Sequence, residues 1–497
     1  MAITLVILVV FPFLVAAASL ALPIAISRYL TIFTGMTTFA LSLSLVPAAA
    51  DHAQVAAGSL LRVDALSVVF VVATTFLYGA TGMFAAGYLR LAEGAPGRRY
   101  GRRFYAGINL FCWSMLIAPI VNGLALLWVA IEVTTVISAL LVAIDDTDGA
   151  TEASWKYVLI ASLGLGIALF ATIIMYYAGT TVFGAAYNLS FTKLLAGARH
   201  FPPDVVRLSF VLAVLGFGTK MGLFPVHTWL PDAHSEAPTP ISALLSGALL
   251  AVSFYAILRY YQIAVRSLGS NFPRNVLLIF GLASLLIAAL YLLSQHDLKR
   301  LLAYSSVEHM GILAIGMSFG APIAIVGVLL HVLAHAAAKG TAFFGAGSVV
   351  RKFGTKDMRR IRGGIEALPW SGSMLVVAVL ALSGMPPFGI FRSEFLIVEG
   401  GMSDPREEIA ALMVVLITLA FFGLSWYTTR TMLSPKQGSS DDGQTLALPT
   451  PAKGEVSNWI VAAMVAGALA LVILGVHPPA QLGHLLSRAS AELAVVR

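Results

Sequence analysis

The stretch GTKMGLFPVHTWLPDAHSEAPTP, residues 218–240, follows a run of almost wholly apolar residues and carries a lysine near its start. A charged side chain at the centre of a membrane helix costs about 2.5–3.5 kcal/mol on insertion scales, so such residues face a bundle interior or a hydrated cavity. Gly218 and Pro225 flank Lys220, and both residue types interrupt helices. The stretch therefore predicts a broken membrane helix that holds a functional charge.

The composition of the whole chain agrees with this interpretation. Of 497 residues, 59% are hydrophobic and 11% are charged, and the mean hydropathy is +0.88. Soluble chains carry roughly 25% charged residues, so the deficit extends over many segments and predicts an all-α polytopic membrane protein. The single cysteine, Cys112, excludes a disulfide framework, a thiolate cluster and a CxxC redox pair. Any redox cofactor must then belong to partner chains.

Apolar runs long enough to cross a membrane recur along the chain. A hydrocarbon core of about 30 Å requires about 20 apolar residues per helix, and we find fourteen such runs. The first has no basic segment before it, so we expect a retained helix and not a cleaved signal peptide. The predicted spans are 2–21, 25–46, 63–88, 105–119, 122–143, 155–178, 206–227, 239–262, 274–294, 299–319, 322–348, 370–398, 407–431 and 457–476.

Basic residues are concentrated in two loops between these spans. Both loops are odd-numbered, so they lie on the same side of the membrane, and the positive-inside rule makes that side cytoplasmic. Both termini are then expected outside. Since this rule explains the net charge of +7, the charge gives no reason to expect nucleic-acid binding. The third loop contains Arg90, Arg98, Arg99, Arg102 and Arg103, and the eleventh contains Arg351, Lys352, Lys356, Arg359, Arg360 and Arg362.

Two of the runs carry helix breakers in the middle, at 216–225 and at 382–395. About five spans separate them, and an odd number inverts the orientation, so the pattern predicts an inverted five-helix repeat of spans 4–8 and 9–13 with discontinuous helices 7 and 12. The alternative is that Gly and Pro are simply more frequent in membrane helices than in soluble ones. The implied organisation is helices 1–3 in 1–104, the two repeats in 105–262 and 274–431, and a cytoplasmic loop with helix 14 in 432–497.

Glu132 lies in the middle of LLWVAIEVTTVISALLV, where apolar residues on both sides prevent its carboxylate from reaching water. We expect Lys220 to be its partner on another helix. A lysine that is stabilised by a carboxylate and destabilised by burial can change its charge when the neighbour moves or takes up a proton. The alternative is a static buried ion pair that holds two helices together, although such pairs are a poor source of stability.

His331, His335 and Lys339 recur at every fourth residue and therefore lie on one face of one helix, about 6 Å apart per step. Imidazole both accepts and donates protons, so the series predicts a short proton wire. HxxxH is also a metal-ligand spacing, but no cysteine or third acidic ligand lies nearby in sequence, so we expect no metal. Two structural core histidines are a further alternative. Glu394 is expected in the second broken helix where Lys220 stands in the first, either ending the wire or as an ordinary helix-end charge.

Polar residues close to these spans are secondary candidates. The segment WLPDAHSEAPTP reads as a loop beyond span 7, which predicts either a proton-uptake or coupling surface or a solvated connector. Lys299 is interpreted mainly as a topology charge, whereas the Glu-His pair about two turns into span 10 is expected to be functional. The secondary candidates are His227, Asp232, His234, Glu236, Lys299, Glu308 and His309.

Four motifs in one chain, GTKMGLFPVHTWLPDAHSEAPTPISALLSGALL, DLKRLLAYSSVEHMG, HVLAHAAAKGTAFFGAGSVV and SGMPPFGIFRSEFLI, resemble the antiporter-like subunits of respiratory complex I and of Mrp cation/proton antiporters. This resemblance covers roughly residues 60–430. Details such as WKYVLIASLGLGIALF, YSSVEHMG and DAHSEAPTP look most like the F subunit of hydrogenase-4-type complexes, which are built around a NiFe hydrogenase or a similar module. The resemblance implies fourteen core helices with an inverted repeat of five. It also implies a proton path through Glu132, Lys220, His331, His335, Lys339 and Glu394.

The sequence departs from the family pattern at Ala251, where several members place a lysine on the eighth helix. A link from Lys220 to Lys339 must then run through water or His331, or be interrupted. We therefore expect a proton-translocating subunit of a redox-driven complex in the bacterial cytoplasmic (inner) membrane, with no cofactor of its own. Partner subunits would carry Fe–S clusters and NiFe or quinone. The alternatives are an Mrp-type antiporter, an ion-driven inorganic-carbon uptake subunit, or a scaffold that has lost conduction.

Overall fold

The structure is a computed structural model that describes residues 1–89, 95–403, 406–434, 448 and 450–494. Helices account for nearly all of these residues, and a short hairpin of β1 (Gln54–Ala56) and β2 (Leu61–Val63) joins the second helix to the third. The helices are α1 (Ala2–Ala21), α2 (Ile24–Asp51), α3 (Ala65–Tyr88), α4 (Ala95–Ile120), α5 (Leu124–Val142), α6 (Asp148–Phe183), α7 (Phe191–Gly197), α8 (Pro203–Met221), α9 (Trp229–Glu236), α10 (Thr239–Leu244), α11 (Leu250–Leu268), α12 (Asn271–Leu292), α13 (Leu298–Phe319), α14 (Pro322–Phe353), α15 (Gly364–Ala367), α16 (Pro369–Leu382), α17 (Gly389–Met402), α18 (Glu407–Leu433), α19 (Asn458–Val476) and α20 (Ala480–Leu493).

Within the described residues, 11 helices are long and apolar enough to cross a membrane. A π-helical segment, Leu245–Leu249, joins α10 and α11 into one such helix, Thr239–Leu268. The chain is therefore a multi-pass membrane protein, as the composition predicts. Helices also occupy the three remaining predicted runs, but α8 and α13 are too polar and α16 is too short to meet the same criterion. The count of fourteen spans and the inverted repeat stay predictions.

The centre of the bundle is formed by the helices that carry the candidate residues. The spanning window of Thr239–Leu268 is 100% buried and that of α14 is 89% buried, whereas α1 and α19 are buried by only 33% and 28%. A central helix needs small residues so that its neighbours can approach closely. In α14, a Cβ added at Gly347 would lie 2.3 Å from Cγ2 of Thr239, which shows how tightly α10 packs against it.

The first broken helix is interrupted later than we predict from the sequence. Helix α8 continues through Lys220 and ends at Met221, and the non-helical residues are 222–228. Gly216 does not break the helix, because its missing side chain lets α8 pack on α6, where a Cβ would lie 2.5 Å from the backbone nitrogen of Ala168. Lys220 therefore lies in the last helical turn, where the negative end of the helix dipole favours a cation by about 0.3–1 kcal/mol.

The second break has the same backbone form as the first. Gly222 and Gly384 both adopt left-handed φ values, +85° and +66°, within two residues of the end of the first half-helix. In each case the amide of the next residue donates back to a carbonyl five residues earlier, Leu223 to Gly218 at 2.8 Å and Met385 to Leu380 at 3.1 Å. This is the Schellman arrangement that ends a helix at glycine. The two interruptions are 222–228 and 383–388.

Glu394 does not occupy the position that Lys220 holds, which corrects the expectation from the sequence. When the two glycine caps are superposed, Lys220 lies two residues before its cap and Glu394 lies ten residues after its own. The glutamate is therefore in the second half-helix, α17, and the lysine is in the first half-helix, α8. The position that corresponds to Glu394 in the first broken helix is Asp232 in α9.

The two basic segments meet on one side of the bundle, as predicted. Arg351, at the end of α14, donates to the Gly87 carbonyl at the end of α3 at 3.3 Å, so the ends of these two helices lie together. One boundary differs from the prediction, because α4 begins at Ala95 and not near 105. The arginines at 98, 99, 102 and 103 therefore lie on its first turns and not in a loop, and Arg90 lies outside the described residues.

The opposite face carries two elements that the apolar pattern does not predict, the hairpin of β1 and β2 and the helix α20. α20 packs against α2, α3 and α14, and the Ser490 hydroxyl donates to the Pro322 carbonyl at 3.0 Å. Its residue Glu492 accepts from the Leu66 amide at 3.5 Å, beside the Asp64 carboxylate that Arg259 contacts at 2.6 Å. The helix therefore rests on a charged cluster at the end of α3.

Candidate proton pathway

Lys220 is fully buried, and its ammonium group contacts two hydroxyls. Its Nζ donates to Thr135 Oγ1 at 2.7 Å on α5 and to Tyr157 OH at 2.5 Å on α6, and it also lies 4.9 Å from the centre of the Tyr157 ring. Buried charges need hydrogen bonds and a favourable field, and the two hydroxyls with the end of α8 provide both. The lysine therefore joins three helices at the first break.

Glu132 does not form the direct ion pair with Lys220 that we expect from the sequence. Among the described residues it has no ion pair, and its Oε2 is buried without a hydrogen-bond partner. Thr135 follows Glu132 by three residues on α5 and takes the contact with the lysine in its place. The two charges thus interact through space, and neutral hydroxyls take the direct contacts with the lysine.

The hydroxyls beside Lys220 were missed because serine, threonine and tyrosine are common in membrane helices. Ser138 Oγ lies 2.7 Å from Tyr157 OH, so α5 contributes Glu132, Thr135 and Ser138 to one polar stripe. A spacing of three residues inside an apolar run places side chains on one face of a helix. That spacing is the signal in the sequence that could have identified Thr135 and Ser138.

The segment after the first break is a helix, α9, and not the loop that we predict. His234 on this helix is fully buried, and neither of its ring nitrogens has a partner among the described residues. Its ring centre lies 6.5 Å from that of Trp229 and 5.4 Å from that of Phe343 on α14. Trp229 packs at 4.5 Å on Tyr157. His234 therefore lies between the Lys220 site and the central helix.

His227 lies in the first break and is mostly buried, with its Nδ1 unpartnered in the described structure. The acidic residues of α9 turn instead toward the basic side of the bundle. Asp232 accepts from Arg300 at 2.9 Å, and Glu236 accepts from Lys356 at 2.5 Å. Partly exposed pairs of this kind contribute at most about 1 kcal/mol. They tie α9 to neighbouring segments and do not reach the interior.

Lys299 is buried, in contrast to the surface role that we expect for it. Its Nζ donates to the Ala237 carbonyl at 2.6 Å and to the Ser235 carbonyl at 3.3 Å. These carbonyls lie at the end of α9 and have no partner within that helix. The lysine thus caps α9 and fixes the end of the broken helix against α13.

Lys339 lies at the centre of the bundle on α14 and is fully buried. Its Nζ donates to the Leu302 carbonyl at 3.0 Å and to the Ser305 hydroxyl, both on α13. Glu308, one turn further along α13, is also buried and leaves Oε2 without a partner in the described structure. The second half of the bundle thus repeats the combination of a buried lysine, a hydroxyl contact and a nearby carboxylate.

Three histidines form a compact cluster next to Lys339. His309 Nδ1 lies 3.1 Å from His331 Nε2, and the ring centre of His335 lies 5.2 Å from that of His309 and 6.3 Å from that of His331. His331 and His335 are nearly parallel, with 20° between their ring planes. The expected pair of His331 and His335 on α14 is therefore present, and His309 from α13 adds a third imidazole.

Glu394 lies at the far end of this cluster. Ser393 Oγ is 2.9 Å from His331 Nδ1, and the Glu394 carboxylate offers a ligand atom within 4.8 Å of atoms on His309 and His331. Its Oε1 is buried without a partner in the described part of the chain. Gly384 makes room for this carboxylate, since a Cβ there would lie 2.4 Å from Glu394 Oε2. The second break thus opens onto the histidine cluster.

Ala251 is buried and provides no polar group. In the π-helical segment before it, Ser246 lies 2.7 Å from Ser306 on α13. A proton passing from the first half to the second must therefore use groups other than the side chain at position 251. Of the predicted residues, His234 is the one whose free ring nitrogens lie between the two lysines.

The sequence is similar to those of known membrane proteins. The family model for NADH:quinone oxidoreductase/Mrp antiporter membrane proteins matches residues 121–422. A hydrogenase-4 component F homolog from Methylacidiphilum infernorum is 36% identical over 395 residues, which covers 79% of this chain and 83% of the relative.

Solved structures share the fold over nearly the whole chain. A subunit of the Mrp complex from Dietzia sp. matches with a TM-score of 0.85 at 19% identity, covering 99% of this chain and 98% of the other. A chain of respiratory complex I from Thermus thermophilus matches with a TM-score of 0.81 at 23% identity, covering 98% and 99%. On its sequence match and its fold, the protein belongs to the NADH:quinone oxidoreductase/Mrp antiporter membrane family.

Proposed function

We propose that this protein is a proton-translocating, antiporter-like subunit of a redox-driven complex of the hydrogenase-4 type in the bacterial cytoplasmic membrane. The observation that carries the proposal is the line of buried polar side chains that runs from Glu132 to Glu394 through both broken helices. Ionisable residues inside a membrane protein are costly and commonly mark proton relays. The similarity to a hydrogenase-4 component F homolog supports the redox-driven assignment.

The proposed path uses each group according to its contacts. A proton accepted at Glu132 changes the field at Lys220 through the hydroxyls of Thr135 and Tyr157. His234 carries the proton from there toward Lys339. It takes the role of the lysine that several family members have at the position of Ala251. Glu308 and the three histidines then pass the proton to its exit at the second break. The exit residue is Glu394.

Coupling requires that the two charge states of the path differ in energy, because a driving event can shift an equilibrium only by a differential interaction. Lys220 meets this condition, since hydroxyls contact its ammonium group and a carboxylate lies one turn of α5 away. Electron transfer in a partner chain would change the charge at one end of the path. This chain contributes no redox centre, and Fe–S clusters with NiFe or quinone would lie in the partners.

Glu132 also indicates where a partner subunit lies. Its side chain is only half-buried in this chain, although it lies in the middle of the membrane helix α5. A carboxylate facing lipid at that depth would be strongly unfavourable. We infer that another membrane subunit covers α5 and supplies a polar or basic group to Glu132. The proposal includes an orientation with both termini outside, because the positive-inside rule assigns the two basic segments to the cytoplasmic side.

The test is proton uptake into inverted membrane vesicles that contain the whole complex, driven by its electron donor. Lys220→Ala and Glu132→Gln are each expected to abolish uptake while electron transfer and assembly persist. Lys193→Ala and Glu408→Gln, at exposed positions, are the matched controls. Normal uptake in either of the first two variants would contradict the assignment. Uptake of sodium with proton release would instead identify an Mrp-type antiporter.

A further inference from the structure

The histidine cluster has the donor set of a transition-metal site. His309, His331 and Glu394 come from three different helices, and each offers one ligand atom within 4.8 Å of the other two. The sequence offers no acidic ligand near the HxxxH pair, and the fold supplies one from α17. Two imidazoles and one carboxylate form a common ligand set for Zn²⁺.

The two histidine nitrogens already lie near the separation that a bound ion requires. Zn²⁺ binds nitrogen at about 2.0–2.1 Å, so two ligands in a tetrahedral site lie about 3.4 Å apart. The 3.1 Å between His309 Nδ1 and His331 Nε2 is close to that separation. The carboxylate of Glu394 has an unpartnered Oε1 with which it can turn toward the two nitrogens.

The orientation of His331 is already fixed in the way that metal sites require. Its Nδ1 lies 2.9 Å from Ser393 Oγ, which leaves Nε2 directed at His309. A second hydrogen bond of this kind sets the ring position and the tautomer of a ligating histidine. His335 lies beside these three groups, with its ring centre 5.2 Å from that of His309 and neither ring nitrogen partnered in the described structure.

The charges around the cluster also favour a divalent cation. Glu394 has no ion pair among the described residues, and Glu308 is close enough to interact with it electrostatically. Two buried carboxylates near one another repel, and a cation between or beside them relieves that repulsion. Lys339 adds one positive charge at the edge of the cluster. When Zn²⁺ is bound, its two charges and that of Lys339 face the two negative charges of the carboxylates.

We propose that His309, His331 and Glu394 bind one Zn²⁺ ion, and that the bound ion blocks the path. The blocking part rests on the proposed function, since the ion would take the ligand atoms that carry the proton. The binding part depends on the geometry alone.

The binding test uses the whole complex purified in detergent, freed of loosely held metal with a chelator and titrated with ZnCl₂. The wild-type complex is expected to bind one Zn²⁺ more than complexes carrying His331→Ala or Glu394→Gln. Ser393→Ala keeps all the ligands and is expected to weaken Zn²⁺ binding by about 10–100-fold. The double variant of the exposed His477 and His484, each changed to Ala, is the control and should bind as wild type.

X-ray absorption at the zinc edge separates this site from surface binding, because it should show imidazole and carboxylate ligands that the His331→Ala complex lacks. His309→Gln serves as a second ligand variant if His331→Ala fails to assemble. Equal Zn²⁺ content in the wild type and both ligand variants would overturn the site. Loss of the ion in the His477/His484 variant would overturn it as well.

Vesicle uptake tests the second part. Micromolar ZnCl₂ is expected to stop proton uptake in wild-type vesicles, and Ser393→Ala should shift the inhibiting concentration upward by the same factor as binding. If Zn²⁺ binds at the site without stopping proton uptake, the result supports the metal site and contradicts the proposed path. Relay variants that lose uptake in a complex that binds no Zn²⁺ would support the path and overturn the metal site.

Discussion

At the residue scale, Lys220 shows what the sequence can and cannot predict. A lysine inside an apolar run stands out because its burial is costly, so it is identified without any structure. Its partners do not stand out, since Thr135 and Tyr157 belong to residue types that are common in any membrane helix. The sequence therefore predicts the charges along the path but not the hydroxyls that contact them.

Tyr157→Phe tests the role of the hydroxyl contact. It removes one of the two hydrogen bonds to Lys220 and leaves the ring packed on Trp229. A hydrogen bond to a charged group contributes about 1.5–3 kcal/mol, so we expect proton uptake to slow by about 10- to 100-fold. Tyr260→Phe removes a buried hydroxyl bonded to Thr172 and is the matched control. Equal uptake in the two variants would show that the Tyr157 hydroxyl has no part in transfer.

His234→Ala tests the connection between the two halves. Its free ring nitrogens lie between the lysines, and Ala251 offers no alternative. We expect uptake to fall by at least about 100-fold, within the range that a proton-transferring side chain contributes. His296→Ala, at an exposed position, should leave uptake unchanged. If His234→Ala complexes retain full uptake, the link between the halves must run through water.

At the scale of elements, the broken helices are predicted in number but not in detail. Glycine and proline in apolar runs mark both interruptions. The second, 383–388, lies inside the predicted stretch, whereas the first, 222–228, lies later than the glycines before Lys220 suggest. Whether a glycine ends a helix or allows close packing depends on what lies opposite, and Gly216 faces α6. That information belongs to the tertiary structure. The small hairpin and α20 were missed because they lie outside the apolar runs.

Gly384→Ala tests the geometry of the second break. The position has a left-handed φ of +66°, and a Cβ would lie 2.4 Å from Glu394 Oε2. Gly354 shares this backbone form, with φ +69°, but has open space around it. Gly354→Ala should therefore cost only the roughly 1–2 kcal/mol of the backbone strain.

We expect Gly384→Ala to lower the thermal stability of the complex further and to displace the carboxylate, so that uptake is lost. The measurements are thermal unfolding and vesicle uptake of both variants. Identical behaviour of the two alanine variants would show that the space at Gly384 is not required.

The docking of α20 is expected to depend on pH through Glu492. Burial, and then Asp64, raises the pKa of this carboxyl from 4.5 to about 7, although Arg259 acts in the opposite direction. A raised acid pKa means that the docked helix binds the proton more tightly than the free helix does. The stabilisation is thus fully present below about pH 4.5 and is lost as the pH rises to about 7.

Trypsin cleavage after the exposed Arg488 measures this docking. The wild-type cleavage rate, taken relative to that of Glu492→Gln at each pH, should rise between pH 4.5 and about 7. Glutamine stays neutral, so its own rate corrects for the pH dependence of the protease. A constant ratio would show that Glu492 does not control the contact.

At the scale of the whole molecule, the class of protein and its central charged residues can be predicted from the sequence, because apolar runs and the ionisable residues within them stand out. Which of those residues come together in the fold cannot be predicted in this way. His309 on α13, His331 on α14 and Glu394 on α17 are far apart in the chain, and only the packing of three helices brings them together. Glu132 and Lys220 interact electrostatically as expected, but on α5 the direct hydrogen bond of Lys220 goes to Thr135, which the sequence does not reveal.

The central claim is that protons cross through the polar line inside this chain and not beside it. Lys339 is the most direct test, because it lies between His234 and the histidine cluster and, among the described residues, its Nζ donates to Leu302 and Ser305. Proton uptake should be measured in vesicles with Lys339→Met, which keeps the length of the side chain and removes its charge. The account predicts an assembled complex that transfers electrons and takes up no protons; uptake at the wild-type rate, or loss of assembly, would contradict it.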